Sequence, residues 1–154
     1  MSTFDRVKKF HDAMEIPQSN PSVRDALELR LRLIWEEYSE VLEAAGYMPD
    51  LEVGFRPSGV RTDEVNLLKE LADLDYVVAG TAVTFGWDFN EAGRRVHQSN
   101  MSKLGDGGHP IRRNDGKVMK GPNYKAPDLS DLVGEKNEEE EIHCGCHPCE
   151  CGRS

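Results

Sequence analysis

Two acidic signatures, Glu36-Glu37-x-x-Glu40 and Glu70-x-x-Asp73, each interrupt a strongly helical and otherwise apolar stretch of the chain. At roughly 100° per residue, Glu36, Glu37 and Glu40 fall within about 100° of arc, and Leu29, Leu33 and Ala44 share that arc. Glu70 and Asp73 likewise share a face with Leu67, Leu74 and Val77. Two helices packed along these stripes would turn five carboxylates toward each other. Left unpaired, such groups repel and lose their ionisation. A divalent cation is the simplest remedy, because hard cations take several carboxylate oxygens and keep positions open for water and phosphate. The plainer alternative is solvated surface acids, the usual fate of a single helical Glu. A di-iron bundle is a third option, but it needs Glu-x-x-His on two helices, and neither stretch supplies the histidine.

The surrounding pattern predicts an all-α domain, a four-helix bundle. Residues 3–15 have Phe4, Val7, Phe10 and Met14 at helical spacing, and Pro17 and Pro21 end that segment. Ser22 is placed to cap a long helix to about Ala45, with Gly46 as its C-terminal stop. Residues 47–61, with Pro49, Gly54, Pro57 and Gly59, read as a loop. Thr62 is placed to cap a third helix running to about Phe85, with Asp63 and Glu64 in its first turn. Asp88 caps a fourth, from Phe89 to Met101. Ile111–Arg113 and Lys117–Met119 flank Asn114-Asp115-Gly116, a hairpin signal.

From Ser130 the chain is acidic and poor in large apolar residues, so 1–129 reads as the domain and 130–154 as a disordered tail. Of the formal charge of −9, residues 129–154 carry −5 and the rest about −4. That balance leaves no electrostatic footprint for duplex nucleic acid or an anionic membrane. The start of the chain has no apolar signal-like core, and the body has no cysteine, which together suit a cytoplasmic protein. All four cysteines lie in His143-Cys144-x-Cys146-His147-Pro148-Cys149-x-Cys151, a set of soft ligands suited to Zn²⁺. A reduced tail without metal is the competing reading. No phosphate-binding GxxxxGK[ST] loop is present, and no Ser-His-Asp or Cys-His arrangement stands out.

WEEYSE with ELADLDYVVAG resembles the all-α nucleoside triphosphate pyrophosphohydrolases, which include MazG proteins, dimeric dUTPases and phosphoribosyl-ATP pyrophosphatases. Val96-His97-x-x-Asn100-Met101-Ser102-Lys103, Asp115-Gly116-Lys117 and Lys120-Gly121-Pro122-Asn123-Tyr124 extend the likeness to a MazG-like, phosphoribosyl-ATP-pyrophosphatase-type subgroup over about residues 4–129. The resemblance implies that Glu37, Glu40, Glu70 and Asp73 bind Mg²⁺, with Mn²⁺ as a substitute. It implies that Glu36 binds metal or orients the attacking water, and that Asn100 and Lys103 lie near the substrate phosphates, with Lys103 also a catalytic candidate. Tyr124 falls in the resembling segment and is assigned with them to substrate binding. Arg112, Arg113, Lys117 and Lys120 around the hairpin are further candidates for clamping phosphate, since Arg matches phosphate oxygens; a solvated basic hairpin is the alternative. The family cuts between the α and β phosphates and assembles as dimers or tetramers, so a homodimer or homotetramer is implied. Three functions follow in order: hydrolysis of (d)NTPs such as dUTP or dCTP in nucleotide-pool cleaning, hydrolysis of phosphoribosyl-ATP, and a non-enzymatic helical adaptor with a metal-binding tail. Of the aromatic residues, Trp35, Tyr38, Tyr76 and Trp87 are expected mainly in the core rather than stacked on a base.

Overall fold

The computed structural model describes residues 1–18 and 23–133. Its helices are α1 (Thr3–Ala13), α2 (Val23–Ala44), α3 (Glu64–Thr84) and α4 (Phe89–Met101). The expected all-α architecture is present. The capping serine expected at Ser22 lies outside the described residues.

Several helix boundaries have a local cause. Ser2 and Asp5 form a reciprocal capping box: the Asp5 amide donates to Ser2 Oγ at 3.1 Å, and the Ser2 amide to Asp5 Oδ2 at 2.8 Å. Helix α1 stops two residues before the expected Glu15, which itself takes a left-handed φ of 53° as the chain turns. Gly46 follows α2 at φ 84°, and a Cβ there would lie 2.4 Å from the Val60 carbonyl oxygen, so glycine is required twice over. Asp63, not Thr62, caps α3, accepting from the amides of Val65 (3.1 Å) and Asn66 (3.0 Å). Thr62 Oγ1 instead donates to the Ala45 carbonyl at 3.0 Å, fastening the start of α3 to the end of α2. Asp88 caps α4 as expected, accepting from Glu91 N at 3.0 Å.

Residues 47–61 are not simply a loop. They contain a two-stranded antiparallel hairpin, β1 (Tyr47–Asp50) and β2 (Gly54–Pro57), in register Tyr47↔Pro57 to Asp50↔Gly54. Asp50 Oδ1 accepts from the amides of Glu52 and Val53 and closes its turn. β1 alternates in burial over only four residues and β2 is exposed throughout, too short a pattern to tell from a loop, which is why the sequence shows only the turn residues. The second expected hairpin is a tight turn with one isolated bridge, Arg112↔Val118, rather than two strands.

Helix α3 is the central element, packed against both α1 and α2. Val7, Ala79 and Val83 form the buried core, edged by Phe4 and Tyr76, and Phe10 meets Tyr76 edge-on at 5.8 Å. Fully burying a Val such as Val7 stabilises by about 1.5–3 kcal/mol. Small residues on α3 admit close neighbours: a Cβ on Gly80 would meet Arg30 Nη1 at 3.4 Å and His11 Nε2 at 3.5 Å. Helix α2, by contrast, is exposed on a broad apolar side. Leu29, placed on the acidic stripe by periodicity, is 54% exposed, and Trp35, expected in the core, is 58% exposed.

Beyond α4 the chain folds back along that helix. Ser99 Oγ donates to the Lys125 carbonyl at 2.7 Å, and Gly121 passes so close that a Cβ would lie 2.5 Å from the Leu104 carbonyl oxygen. Ser130–Leu132 form a 3-10 turn, so ordered backbone continues past residue 129. The acidic run 138–141, the Cys/His cluster 143–151 and the disorder expected of them lie outside the described residues.

Candidate active site

Helices α2 and α3 bring the two acidic signatures together. Carboxylate oxygens of Glu37, Glu70 and Asp73 lie within 4.8 Å of one another. Two oxygens facing each other across a Mg²⁺ ion are separated by about 4.2 Å, so side-chain adjustments of a few tenths of an ångström would let these three share one ion. Glu70 is only 4% exposed, Glu37 and Asp73 are half-buried, and Glu40 stands beside Glu70. Glu36 is on the exposed side of α2.

The cluster is short of positive charge. Lys69 supplies one ammonium, its Nζ 2.8 Å from Glu70 Oε2 and 3.1 Å from Asp73 Oδ2. Four carboxylates thus share a single described cation. Burial pushes the Glu37 carboxyl above its ordinary range, and the charges of Glu40, Asp73 and Glu70 push it further. Glu40 is raised first by the charge of Glu70, then by burial and by a hydrogen bond shared with that carboxyl. A donor set of hard oxygens, partly desolvated and holding an ammonium in a cation's place, fits a divalent metal.

Residues 7–100 match the family model for phosphoribosyl-ATP pyrophosphohydrolase. The chain belongs to that family. It is therefore a pyrophosphohydrolase of the all-α MazG-like superfamily, acting on phosphoric anhydrides. The matched span includes both acidic signatures and most of the four helices, and ends before Lys103. A comparison with curated proteins gives no match.

The remaining site candidates are each engaged locally. Lys103 Nζ donates to Asn100 Oδ1 at 2.7 Å at the end of α4. Arg112 donates to the Gly116 carbonyl at 2.9 Å, Arg113 pairs with Asp115, and Lys120 Nζ sits 4.3 Å from the Tyr124 ring centroid. Among the described residues, no hydrogen bond or ion pair joins any of them to the acidic cluster. Tyr76 packs into the core edge and Trp87 against Phe85, whereas Trp35 lies on the surface beside Tyr38.

Lys69 is the site residue that sequence reasoning overlooked. Its signal was the i,i+4 spacing to Asp73, which puts an ammonium on the acidic face. A separate cleft of about 480 Å³ runs along α4, lined by Arg94, Arg95, Ser99, Ser102, Lys125 and Asp128. Its guanidinium groups are already paired, Arg94 with Glu91 and Arg95 with Glu91 and Asp131, so it lacks the uncompensated charge of the α2–α3 cluster.

Proposed function

We propose that the chain is a Mg²⁺-dependent nucleoside triphosphate pyrophosphohydrolase that splits a (d)NTP between its α and β phosphates into monophosphate and pyrophosphate. Nucleotide-pool cleaning with dUTP- or dCTP-like substrates is the biological setting this suggests. The observation that carries the reading is the convergence of Glu37, Glu70 and Asp73, backed by Glu40, with a single lysine against them. Bound there, Mg²⁺ or Mn²⁺ would polarise phosphoryl oxygens and activate water. The four carboxylates hold that charge in place on two rigid helices, Glu36 at the exposed rim orients the attacking water, and Asn100, Lys103, Arg112, Arg113, Lys120 and Tyr124 receive the phosphates and nucleoside.

A second reading, hydrolysis of phosphoribosyl-ATP, is favoured by the family match over residues 7–100. Pyrophosphate release measured over all NTPs, dNTPs and phosphoribosyl-ATP with Mg²⁺ separates the two. A preference for dUTP or dCTP supports the first, a preference for phosphoribosyl-ATP the second, and no release from any of them refutes both.

The working form is a homodimer or homotetramer in the cytoplasm. Leu27, Leu31 and Trp35, at i, i+4 and i+8 along one face of α2, are 36%, 56% and 58% exposed, an apolar stripe that a second copy would cover. Among the described residues no helix is long and apolar enough to cross a membrane. Light scattering at micromolar concentration should give a multiple of the 17.3 kDa chain mass, and a monomer mass would refute this assembly.

A further inference from the structure

We propose that Lys69 is a built-in cation that occupies the acidic site and must be displaced before a divalent ion can bind. The proposal rests on the metal reading above and gives a role to the lysine that reading only sets against the carboxylates. Lys69 Nζ contacts two of the three carboxylates whose oxygens converge, at 2.8 Å from Glu70 and 3.1 Å from Asp73. Adjacent residues on a helix do not ordinarily face each other, so the contact with Glu70 requires the lysine stem to bend back over α3. The Lys69 side chain is 60% exposed and that of Glu70 5%, so the stem runs from solvent to a buried carboxylate. Among the described residues no other lysine or arginine pairs with Glu37, Glu40, Glu70 or Asp73.

Lys69 Nζ sits on Glu70 Oε2 and Asp73 Oδ2, and a divalent ion taking those two oxygens would lie within a few ångströms of the ammonium, where the two cations repel strongly in a partly desolvated site. A free metal ion therefore enters only by breaking two charge-assisted hydrogen bonds. The long flexible stem and compact charge of lysine suit this reversible role. Removing the ammonium leaves the carboxylates in place but without a competitor, so metal should bind more tightly, although the carboxylates then lose a compensating charge in the metal-free state.

Mn²⁺ binding to the full chain, followed by electron paramagnetic resonance without substrate, tests this. Lys69→Met should bind Mn²⁺ about tenfold more tightly than wild type, the scale expected from two partly exposed ion pairs. Lys69→Arg should stay near wild type because it keeps the cation. Circular dichroism should be unchanged in both, since the side chain is mostly solvated. Equal or weaker binding by Lys69→Met overturns the proposal and leaves the metal reading standing. Absence of Mn²⁺ binding in wild type and variant alike overturns both.

Discussion

Between helices α2 and α3, Glu37, Glu40, Glu70 and Asp73 share one ammonium, whereas at α4 the carboxylates of Glu91 and Asp131 are each held by guanidinium. The residue types are the same and the electrostatic outcomes are opposite. Glu37 is raised by burial and by its acidic neighbours, and Glu40 chiefly by Glu70. Glu91 is held down to about 2 by hydrogen bonds from Arg94 and then Arg95, and Asp131 is lowered by Arg95. One group is self-contained and ties the C-terminal segment to α4. The other leaves carboxylate charge with one ammonium against it, room for a further cation. Uncompensated charge on rigid helices, more than acidity itself, distinguishes a site from a structural network.

The largest expected effect separates the two groups by activity. Asp73→Asn or Glu40→Gln should lower kcat/KM for pyrophosphate release by at least about 100-fold, beyond the 10–100-fold typical of groups that only support a ligand. Helical circular dichroism should stay unchanged. Asp131→Asn should leave kcat/KM nearly as it was. Comparable losses in all three variants would erase the distinction.

Metal should also affect stability in one group alone. With Mg²⁺ at 100 times its Kd, the folded state should gain about 2.7 kcal/mol, read as a rise in Tm. Asp73→Asn should abolish most of that rise, and Asp131→Asn should preserve it.

The pH dependence has opposite sign in the two regions. For Glu37 and Glu40, folded values above the ordinary 4.5 of an unfolded chain mean that their stabilising contribution is present below about 4.5 and is lost as pH rises through the raised values. In metal-free buffer at pH 7, Glu40→Gln should therefore raise Tm, and the gain should vanish at acid pH. Glu91 contributes fully above the unfolded 4.5, and its contribution is lost as pH falls toward about 2. Glu91→Gln should lower Tm slightly at pH 7 and have little effect near pH 2. Denaturation scans across pH check both signs, and a shared sign would contradict the contrast.

The acidic cluster was legible because helical spacing alone decides which side chains share a face. Glu37, Glu70 and Asp73 converge as expected, whereas Glu36, placed on the same arc, stays on the exposed side of α2, and Asp88 caps α4 where its sequence places it. The β1–β2 hairpin was not legible, because strands of four residues, one of them exposed throughout, are too short for a period to stand out. Thr62 and Asp63 are both competent caps, and only the Thr62 bond to Ala45, seventeen positions away, decides between them. Leu29 and Trp35 lie on helical stripes, but a stripe does not say whether its cover comes from the same chain or from another. Lys69 has one local signal, the i,i+4 spacing to Asp73, and its contact with the adjacent Glu70 depends on a bend of the stem that spacing does not show.

The central claim is that the α2–α3 cluster cuts the α–β anhydride with the help of a divalent metal. ³¹P nuclear magnetic resonance of the preferred triphosphate substrate with the purified chain, run with Mg²⁺ and again with excess EDTA, tests it directly. The expected result is monophosphate and pyrophosphate appearing together with Mg²⁺ and no hydrolysis in EDTA. Stepwise release of orthophosphate through a diphosphate, or hydrolysis undiminished in EDTA, would contradict it.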